Sequence, residues 1–169
     1  GYHLSFVEPP DDFVTAVEAA MAAAEERNKP VVEAVSQAAR RISAALEGGV
    51  AAGTVALHDL VGGSYRRIPG SDPFQYETPA SAFYSAVLPD VLLEARRAIP
   101  GCRDVVAYDR NAYAPAHLPE LSMAQRPRDP AWNAMNSRDR RIYDQATLLA
   151  AARNQAPVQV FVTTRTPAG

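Results

Sequence analysis

The sequence predicts an α+β protein in which N-terminal helices precede a small antiparallel sheet. Apolar residues recur at three- and four-residue spacing over about residues 10–46, as on the buried face of a helix. The pattern changes at residues 103–108, a short apolar segment bounded by turn residues, which is typical of a strand. Residues 158–164 are rich in β-branched side chains and form the strongest strand pattern in the chain.

The first part of the chain, residues 1–49, is predicted to be a helical unit that precedes a domain over residues 50–169. Acidic residues at its start favour a helix N-terminus because they face the positive end of the helix dipole. Pro30 should end or kink this helix, and Gly48 and Gly49 should stop the segment that follows. Periodicity leaves two arrangements open, an antiparallel hairpin of two helices or one long bent helix.

Residues 50–98 are predicted to hold two more helices separated by turns. A short helix over residues 50–60 would end at a pair of glycines. Residues 64–79 are rich in proline, glycine and aspartate, which predicts turns rather than a regular element. An amphipathic helix is expected over residues 79–98, with a bend at Pro89.

The rest of the chain is predicted to contain three strands, a loop and one helix. Residues 103–108 and 112–117 would form a hairpin, and residues 158–164 a third strand. Residues 118–129 are a predicted loop because several prolines lie in or beside them. A helix is expected over about residues 136–153, capped by the asparagine or the serine at its start.

Composition places the chain among globular domains and excludes some partners. It has 169 residues, 47% of them apolar and 21% charged, which argues against wholesale disorder. The net charge of −2 gives no bulk electrostatic reason to bind nucleic acid or an anionic membrane surface. The sequence contains neither a long apolar run nor a signal-peptide pattern, so the chain as given is expected neither to span a membrane nor to carry a signal peptide.

The common enzyme motifs are missing from the sequence. It has no phosphate-binding loop, no nucleophile elbow and no paired-histidine metal motif, so no enzymatic activity is predicted. Cys102 is the single cysteine, which excludes an internal disulfide and a thiolate zinc site. With no neighbouring base in the sequence, Cys102 is interpreted as a small strand-edge residue rather than a nucleophile.

Polar, aromatic and cationic side chains concentrate between residues 108 and 143. If these groups converge on one pocket, they would suit a carboxylate or another small anion. On the predicted helix Arg138 and Arg141 share a face, whereas Arg140 points elsewhere, and Arg141 is expected to contact the anion. The alternative is a solvated face on which the arginines pair with neighbouring aspartates. The candidate ligand-binding residues are Tyr108, Asp109, Arg110, Asn111, Tyr113, His117, Trp132, Asn133, Arg138, Arg141 and Tyr143.

The segments that carry these residues resemble a known family. They are YDRNAYAPAH at residues 108–117, DPAWNAMNSRDRRIYD at 129–144, LAAARN at 149–154 and PVQVFVTTR at 157–165. In this order they resemble a sensory module of bacterial methyl-accepting chemotaxis proteins, a Cache/PAS-type domain that typically follows the coiled-coil signalling hairpin. The resemblance covers roughly residues 37–165.

The resemblance implies a PAS/Cache-like antiparallel sheet and a cytoplasmic sensory role in chemotaxis. This chain departs from the family at Ala112, where the family has glycine, and at Ser137, where it has cysteine. It also has Leu-Pro-Glu at residues 118–120, where the family is polar and rich in asparagine. The family's sheet continues with two further strands, so a chain ending at Gly169 is expected to have about three.

Two functions of different classes follow as hypotheses. The first is the ligand-sensing domain of a bacterial chemoreceptor or related signalling protein, which binds a small, preferably anionic molecule without catalysis. The alternative is a non-catalytic structural or interaction module with a degenerate pocket. A haem sensor with His117 or His58 as axial ligand is the weakest alternative, so no cofactor and no metal is expected.

The expected partners are a small-molecule ligand, a second copy of this chain and signalling proteins, with no nucleic acid and no membrane insertion. A sheet of three strands leaves one long unpaired edge, and such edges recruit another strand or must be covered. The apolar stripes of the N-terminal helices offer a second association surface. A homodimer or higher oligomer is therefore predicted.

Overall fold

The computed structural model describes residues 9–156 and residue 158, and that part of the chain is an α+β structure. Its helices are α1 (Asp11–Ala51), α2 (Leu57–Val61), α3 (Ser81–Ala98), α4 (Pro130–Asn136) and α5 (Ala146–Ala152). Its strands, each of two residues, are β1 (Arg66–Arg67), β2 (Tyr76–Glu77), β3 (Tyr113–Ala114) and β4 (Arg141–Ile142). A 3-10 turn occupies Pro119–Leu121.

Helix α1 decides between the two N-terminal arrangements, because it is one continuous helix of 41 residues rather than a hairpin. Pro30 lies inside it, so of the two effects predicted for this proline, an end or a kink of the helix, the end is wrong. A proline inside a helix removes one backbone hydrogen bond. The turns of α1 that follow Pro30 pack against α3, which compensates for the lost hydrogen bond. Ala34 and Ala38 there are buried, and the Ala38 side chain packs against α3.

The expectation that the pair Gly48 and Gly49 would stop α1 is also wrong. The helix continues to Ala51, and Gly49 is buried within it. A Cβ atom at Gly49 would collide with the ring of Phe83 on α3. The glycine therefore serves close helix packing at this position rather than helix termination.

The hydrophobic core lies between α3, α1 and the segments around β3. One cluster joins Leu88 and Leu92 of α3 to Ala116 and Leu118, all of them buried. A second cluster places Val91 and Ala95 of α3 against Ala38 of α1, with Ile42 and Val105 packed against both clusters. The prediction of an amphipathic helix over residues 79–98 is thus confirmed, since α3 buries one face.

The described strands form two small antiparallel sheets rather than one three-stranded sheet. Strand β1 pairs with β2, with Arg66 opposite Glu77. Strand β3 pairs with β4, with Tyr113 opposite Ile142. Arg140 links the two sheets through its backbone. Its N–H donates to the carbonyl of Ala114 at 2.6 Å, and its carbonyl accepts from the amide of Tyr76 at 2.7 Å.

The predicted hairpin of residues 103–108 and 112–117 is wrong. Residues 103–108 form no regular element, and Val105 and Ala107 pack against the core cluster instead. Only two residues of the predicted return strand are extended into a ladder, and they pair with β4. A tight turn at residues 109–112 separates the segments. Its Ala112 has a φ of +56°, a left-handed conformation that favours glycine.

The predicted helix over residues 136–153 is wrong at its N-terminal half. The preceding helix α4 ends at Asn136, and the chain then turns through Arg140, whose φ is +57°, into β4. Only the last part, α5, is helical. Helix α4 itself was missed, although Asp129 caps it by accepting a hydrogen bond from the amide of Trp132 at 3.1 Å. The predicted strand over residues 158–164 lies outside the described residues except for Val158.

The N-terminal half of α1 exposes apolar side chains. The exposed fraction of each of these residues is between 38% and 60%. Within the described part of the chain, no helix is both long and apolar enough to cross a membrane. Val14, Val17 and Met21 follow three- and four-residue spacing, so they lie on one face of the helix. The exposed set is Phe13, Val14, Val17, Met21, Val31 and Val35.

We expect this stripe to support self-association. Light scattering on a size-exclusion column should give a mass near twice the chain mass of 18.2 kDa. Met21→Glu should shift the protein towards the monomer because it places a charge on the apolar face. Ala19→Glu adds the same charge on another face of α1 and should leave the mass unchanged. A wild-type mass near 18.2 kDa at micromolar concentration contradicts the prediction.

Candidate functional site

The eleven candidate ligand residues do not form one pocket, and three of them form a turn. One carboxylate oxygen of Asp109 accepts hydrogen bonds from the amides of Asn111 at 2.8 Å and Tyr113 at 3.0 Å. The other oxygen accepts from the hydroxyl of Tyr65, which also accepts from the Asn111 side chain at 2.9 Å. Burial raises the pKa of Tyr65 to about 12. These groups satisfy one another and hold the turn; the neighbouring Arg110 is exposed.

Trp132 and Asn133 anchor the loop before α4. Asn133 is buried, and its side-chain amide donates to the carbonyls of Asp72 and Arg126 at 2.9 and 3.0 Å. Its side-chain oxygen accepts from the amide of Arg126 at 2.7 Å. The guanidinium of Arg126 lies 3.8 Å from the Trp132 ring centroid. Trp132 therefore contacts Arg126 rather than Arg138 or Arg141, the two arginines that the sequence predicts to share a helix face.

Tyr143 lies beside both predicted arginines. Its hydroxyl donates to the carbonyl of Arg138 at 3.0 Å, and the Arg141 guanidinium is 5.1 Å from its ring centroid. Its ring packs edge-on against Tyr108, with centroids 5.7 Å apart. Arg138 is paired with Asp104 at 3.0 Å. Burial raises the pKa of Tyr108 to about 12 and also raises that of Tyr143.

One cleft among the described residues is a poor candidate for a ligand-binding site. It measures about 560 Å³ and is lined by Tyr65 and by the β1–β2 hairpin. Its two charged side chains, Arg66 and Glu77, already form an ion pair with each other. Because the hydroxyl of Tyr65 is also bonded, the charged and phenolic groups of this cleft have partners within the protein.

A smaller cavity of about 370 Å³ brings together polar groups from four segments of the chain. We call it the His117 cavity. It is lined by residues of α3, of the segment after β3, of the 3-10 turn and its C-terminal end, and of the turn before β4. The lining residues are Ser85, Pro89, Ala116, His117, Pro119, Ser122, Asp139 and Arg140.

Two residues that line this cavity each carry a buried side-chain atom that lacks a hydrogen-bond partner within the described structure. These atoms are the Oγ of Ser122 and the Nε of Arg140. The ion pairs of Arg140 are long, 3.7 Å from Nε to Asp139 and 3.8 Å from a terminal nitrogen to Glu77. A charge-assisted hydrogen bond is about 2.7–2.9 Å. Unsatisfied buried groups and left-handed non-glycine residues both concentrate at ligand sites, and Arg140 combines the two.

Burial shifts the pKa values of two titratable groups that line the cavity, His117 and Asp139. His117 is 2% exposed, and its Nδ1 accepts the amide N–H of Leu118 at 2.8 Å. The imidazole proton therefore resides on Nε2, which lies 3.4 Å from a carboxylate oxygen of Asp104. Burial lowers the pKa of His117 and raises the pKa of Asp139. Among the residues that line the cavity, Arg140 carries the permanent positive charge.

Of the candidates from the sequence, only His117 lines this cavity, and sequence reasoning missed Ser122, Asp139 and Arg140. The error in secondary structure caused the omission, because a helix over residues 136–153 turns Arg140 away from its neighbours. The sequence feature that points to Asp139 and Arg140 is the run of charged residues at 138–141, which lies within the polar region between residues 108 and 143. Among the described residues there is no group of three or more histidines, cysteines or acidic residues placed to hold a metal ion.

Comparisons with known proteins do not identify a family or a function for this chain. No protein-family model matches the chain, and neither a curated protein nor a solved structure is significantly similar to it. A functional conclusion must therefore come from the chemistry of the His117 cavity.

Proposed function

We propose that this chain is a non-catalytic sensory domain that binds a small carboxylate in the His117 cavity. The observation that carries the proposal is that two residues lining one cavity, Arg140 and Ser122, each have a buried donor, Nε and Oγ, without a partner among the described residues. A carboxylate has two oxygens with several lone pairs, so it can accept from a guanidinium and a hydroxyl at once. His117 also lines the cavity, and its Nε2 lies 3.4 Å from the Asp104 carboxylate.

The resemblance noted in the sequence supports a sensory role for this site. His117 belongs to the string YDRNAYAPAH, and Asp139 and Arg140 belong to DPAWNAMNSRDRRIYD. Two separate segments of the resemblance therefore line the same cavity. The PAS/Cache-like fold, the cytoplasmic location and the link to chemotaxis are parts of this proposal.

The position of the cavity suggests how occupancy would be communicated. Ser85 and Pro89 of α3 line it, and the next turns of α3 pack against α1 through the core clusters. A ligand that touches both α3 and the Arg140 turn would favour whichever helix position gives the better contacts. Such a shift requires different affinities for the two positions.

Titration with small carboxylates tests the proposal. Acetate, lactate and pyruvate should raise the melting temperature of the protein by mass action, because they bind only the folded state. Acetamide has nearly the shape of acetate but no charge, and we expect no effect from it. Ser122→Ala should weaken the response to the carboxylates. Equal melting shifts with acetate and acetamide, or no shift with any carboxylate, would contradict a carboxylate site.

The second candidate function is an interaction module, which the exposed stripe of α1 favours. In that case the N-terminal half of α1 packs against partner helices and the cavity is vestigial. Self-association that depends on Met21, combined with no response to any carboxylate, would favour this alternative.

A further inference from the structure

Asp139 places a second carboxylate beside the atoms that would receive a carboxylate ligand. Its side chain is 16% exposed, and its Oδ2 lies 3.7 Å from the unpartnered Nε of Arg140. Its other oxygen accepts a hydrogen bond from the side-chain amide of Gln75 at 3.3 Å. An anion within hydrogen-bond distance of Arg140 Nε therefore lies close to the Asp139 carboxylate.

The charges around the cavity do not balance when such a ligand is present. Arg140 supplies one positive charge, and an ionised Asp139 together with a ligand carboxylate supplies two negative charges. Ionisation of both of two carboxyl groups that share a site is energetically unfavourable because their negative charges repel each other, so the pKa of one of them rises. Uptake of one proton removes the excess negative charge.

The other charged groups near the cavity are already engaged. Glu77, the second partner of Arg140, is paired with Arg66 on the neighbouring strand. Asp104, which faces His117, is paired with Arg138. The 3-10 turn contributes Glu120, which is paired with Arg96 of α3, and the α3 residues that line the cavity, Ser85 and Pro89, carry no charge.

His117 is a poor acceptor for the extra proton. Its Nε2 already carries a proton, and its Nδ1 accepts the amide hydrogen of Leu118. Protonation at Nδ1 would break that hydrogen bond and leave two donors facing each other. Asp139 has no such obstacle, because its Oδ2 accepts no hydrogen bond within the described structure, and burial already raises its pKa.

We infer that binding of a carboxylate in the His117 cavity takes up one proton, which Asp139 and the ligand share. This inference rests on the proposed function. Its consequence is that the protein senses the carboxylate together with the pH. The pKa of Asp139 is higher in the complex than in the free protein. Between those two pKa values the affinity rises as the pH falls, by up to about tenfold per pH unit.

Isothermal titration calorimetry of the full chain tests the inference. Acetate, lactate and pyruvate are titrated at about pH 6 in two buffers with different ionisation enthalpies, and the difference in heat gives the number of protons taken up. We expect uptake of up to one proton at a pH between the two pKa values of Asp139, decreasing as the pH is raised above its pKa in the complex. Asp139→Asn, which mimics the protonated acid, should retain binding and lose the uptake. Asp90→Asn, an exposed change on α3, should behave as the wild type.

The outcomes separate the inference from the proposed function. Binding without proton uptake across the pH range overturns the inference and leaves the carboxylate site standing. Undiminished uptake in Asp139→Asn assigns the proton to another group, and this also overturns the inference. The absence of carboxylate binding overturns the proposed function and the inference together. The wild-type measurement decides the first of these outcomes even if Asp139→Asn fails to fold.

Discussion

Arg140→Gly is expected to lower carboxylate affinity by roughly 10- to 150-fold without lowering the stability of the protein. A hydrogen bond to a charged group contributes about 1.5–3 kcal/mol, which corresponds to that range of affinity. Glycine adopts the φ of +57° without the cost of about 1–3 kcal/mol that other residues bear in strained regions. Its greater freedom in the unfolded chain costs about 0.5–1 kcal/mol, which the relief of strain offsets. Calorimetric titration and chemical denaturation measure the two effects.

Arg141→Ala is the matched control for this substitution. The sequence singled out Arg141 as the anion contact, whereas the structure places its guanidinium over the Tyr143 ring, and Arg141 does not line the His117 cavity. We therefore expect Arg141→Ala to leave carboxylate affinity unchanged. Lost binding in Arg141→Ala with full binding in Arg140→Gly would restore the interpretation from the sequence.

Leu92→Ala is expected to lower the free energy of unfolding by about 2–5 kcal/mol. Leu92 is 1% exposed and joins α3 to the residues after β3 in the main core cluster. Removing its side chain leaves a cavity in the core. Its neighbours Leu88 and Leu118 are also buried and closely packed, so they cannot move far enough to fill that cavity. Urea denaturation followed by circular dichroism measures the change.

Leu57→Ala removes the same atoms from a residue that is 60% exposed on α2. Little apolar area returns to water in this variant, so its free energy of unfolding should change by no more than about 0.5 kcal/mol. Similar losses in Leu57→Ala and Leu92→Ala would contradict the assignment of the core to the α3 interface.

The Arg140 turn shows why site and fold are coupled in this protein. The backbone of Arg140 joins β2 to β3, while its side chain lines the cavity and carries a buried nitrogen that has no partner among the described residues. A left-handed residue at a sheet junction is held by the hydrogen bonds on both sides of it. The hydrogen bonds of the fold thus compensate for the backbone strain at Arg140. They hold its guanidinium in place although the backbone conformation is unfavourable for arginine.

The helices of this protein were predictable from the sequence because helical periodicity is a local signal. The spacing of apolar residues identified α1 and α3, and the position of α3 was correct to within two residues. The same spacing could not decide whether Pro30 divides α1, because that depends on the packing of the following turn against α3. Gly49 was misinterpreted for a similar reason, since its close neighbour Phe83 is distant in the sequence.

The strands and the site were decided by tertiary structure. A strand of two residues has no periodicity to detect, so β1 to β4 are defined by their partners rather than by their own residues. The apolar segment at residues 103–108 met the local criteria for a strand, yet it lies against the core without a pairing neighbour.

The sequence by itself determined the α+β class, the long N-terminal helix pattern, the amphipathic helix α3 and the region in which polar groups concentrate. Tertiary structure alone decided which of those polar groups meet, because Ser122, His117 and Arg140 lie on segments brought together by the core and by the two sheets. Local preferences act over one or two helical turns, whereas the unpartnered donors of a cavity arise from contacts between residues far apart in the chain. Arg140 shows the difference, since its residue type is visible in the sequence and its missing hydrogen-bond partner is visible only in the folded protein.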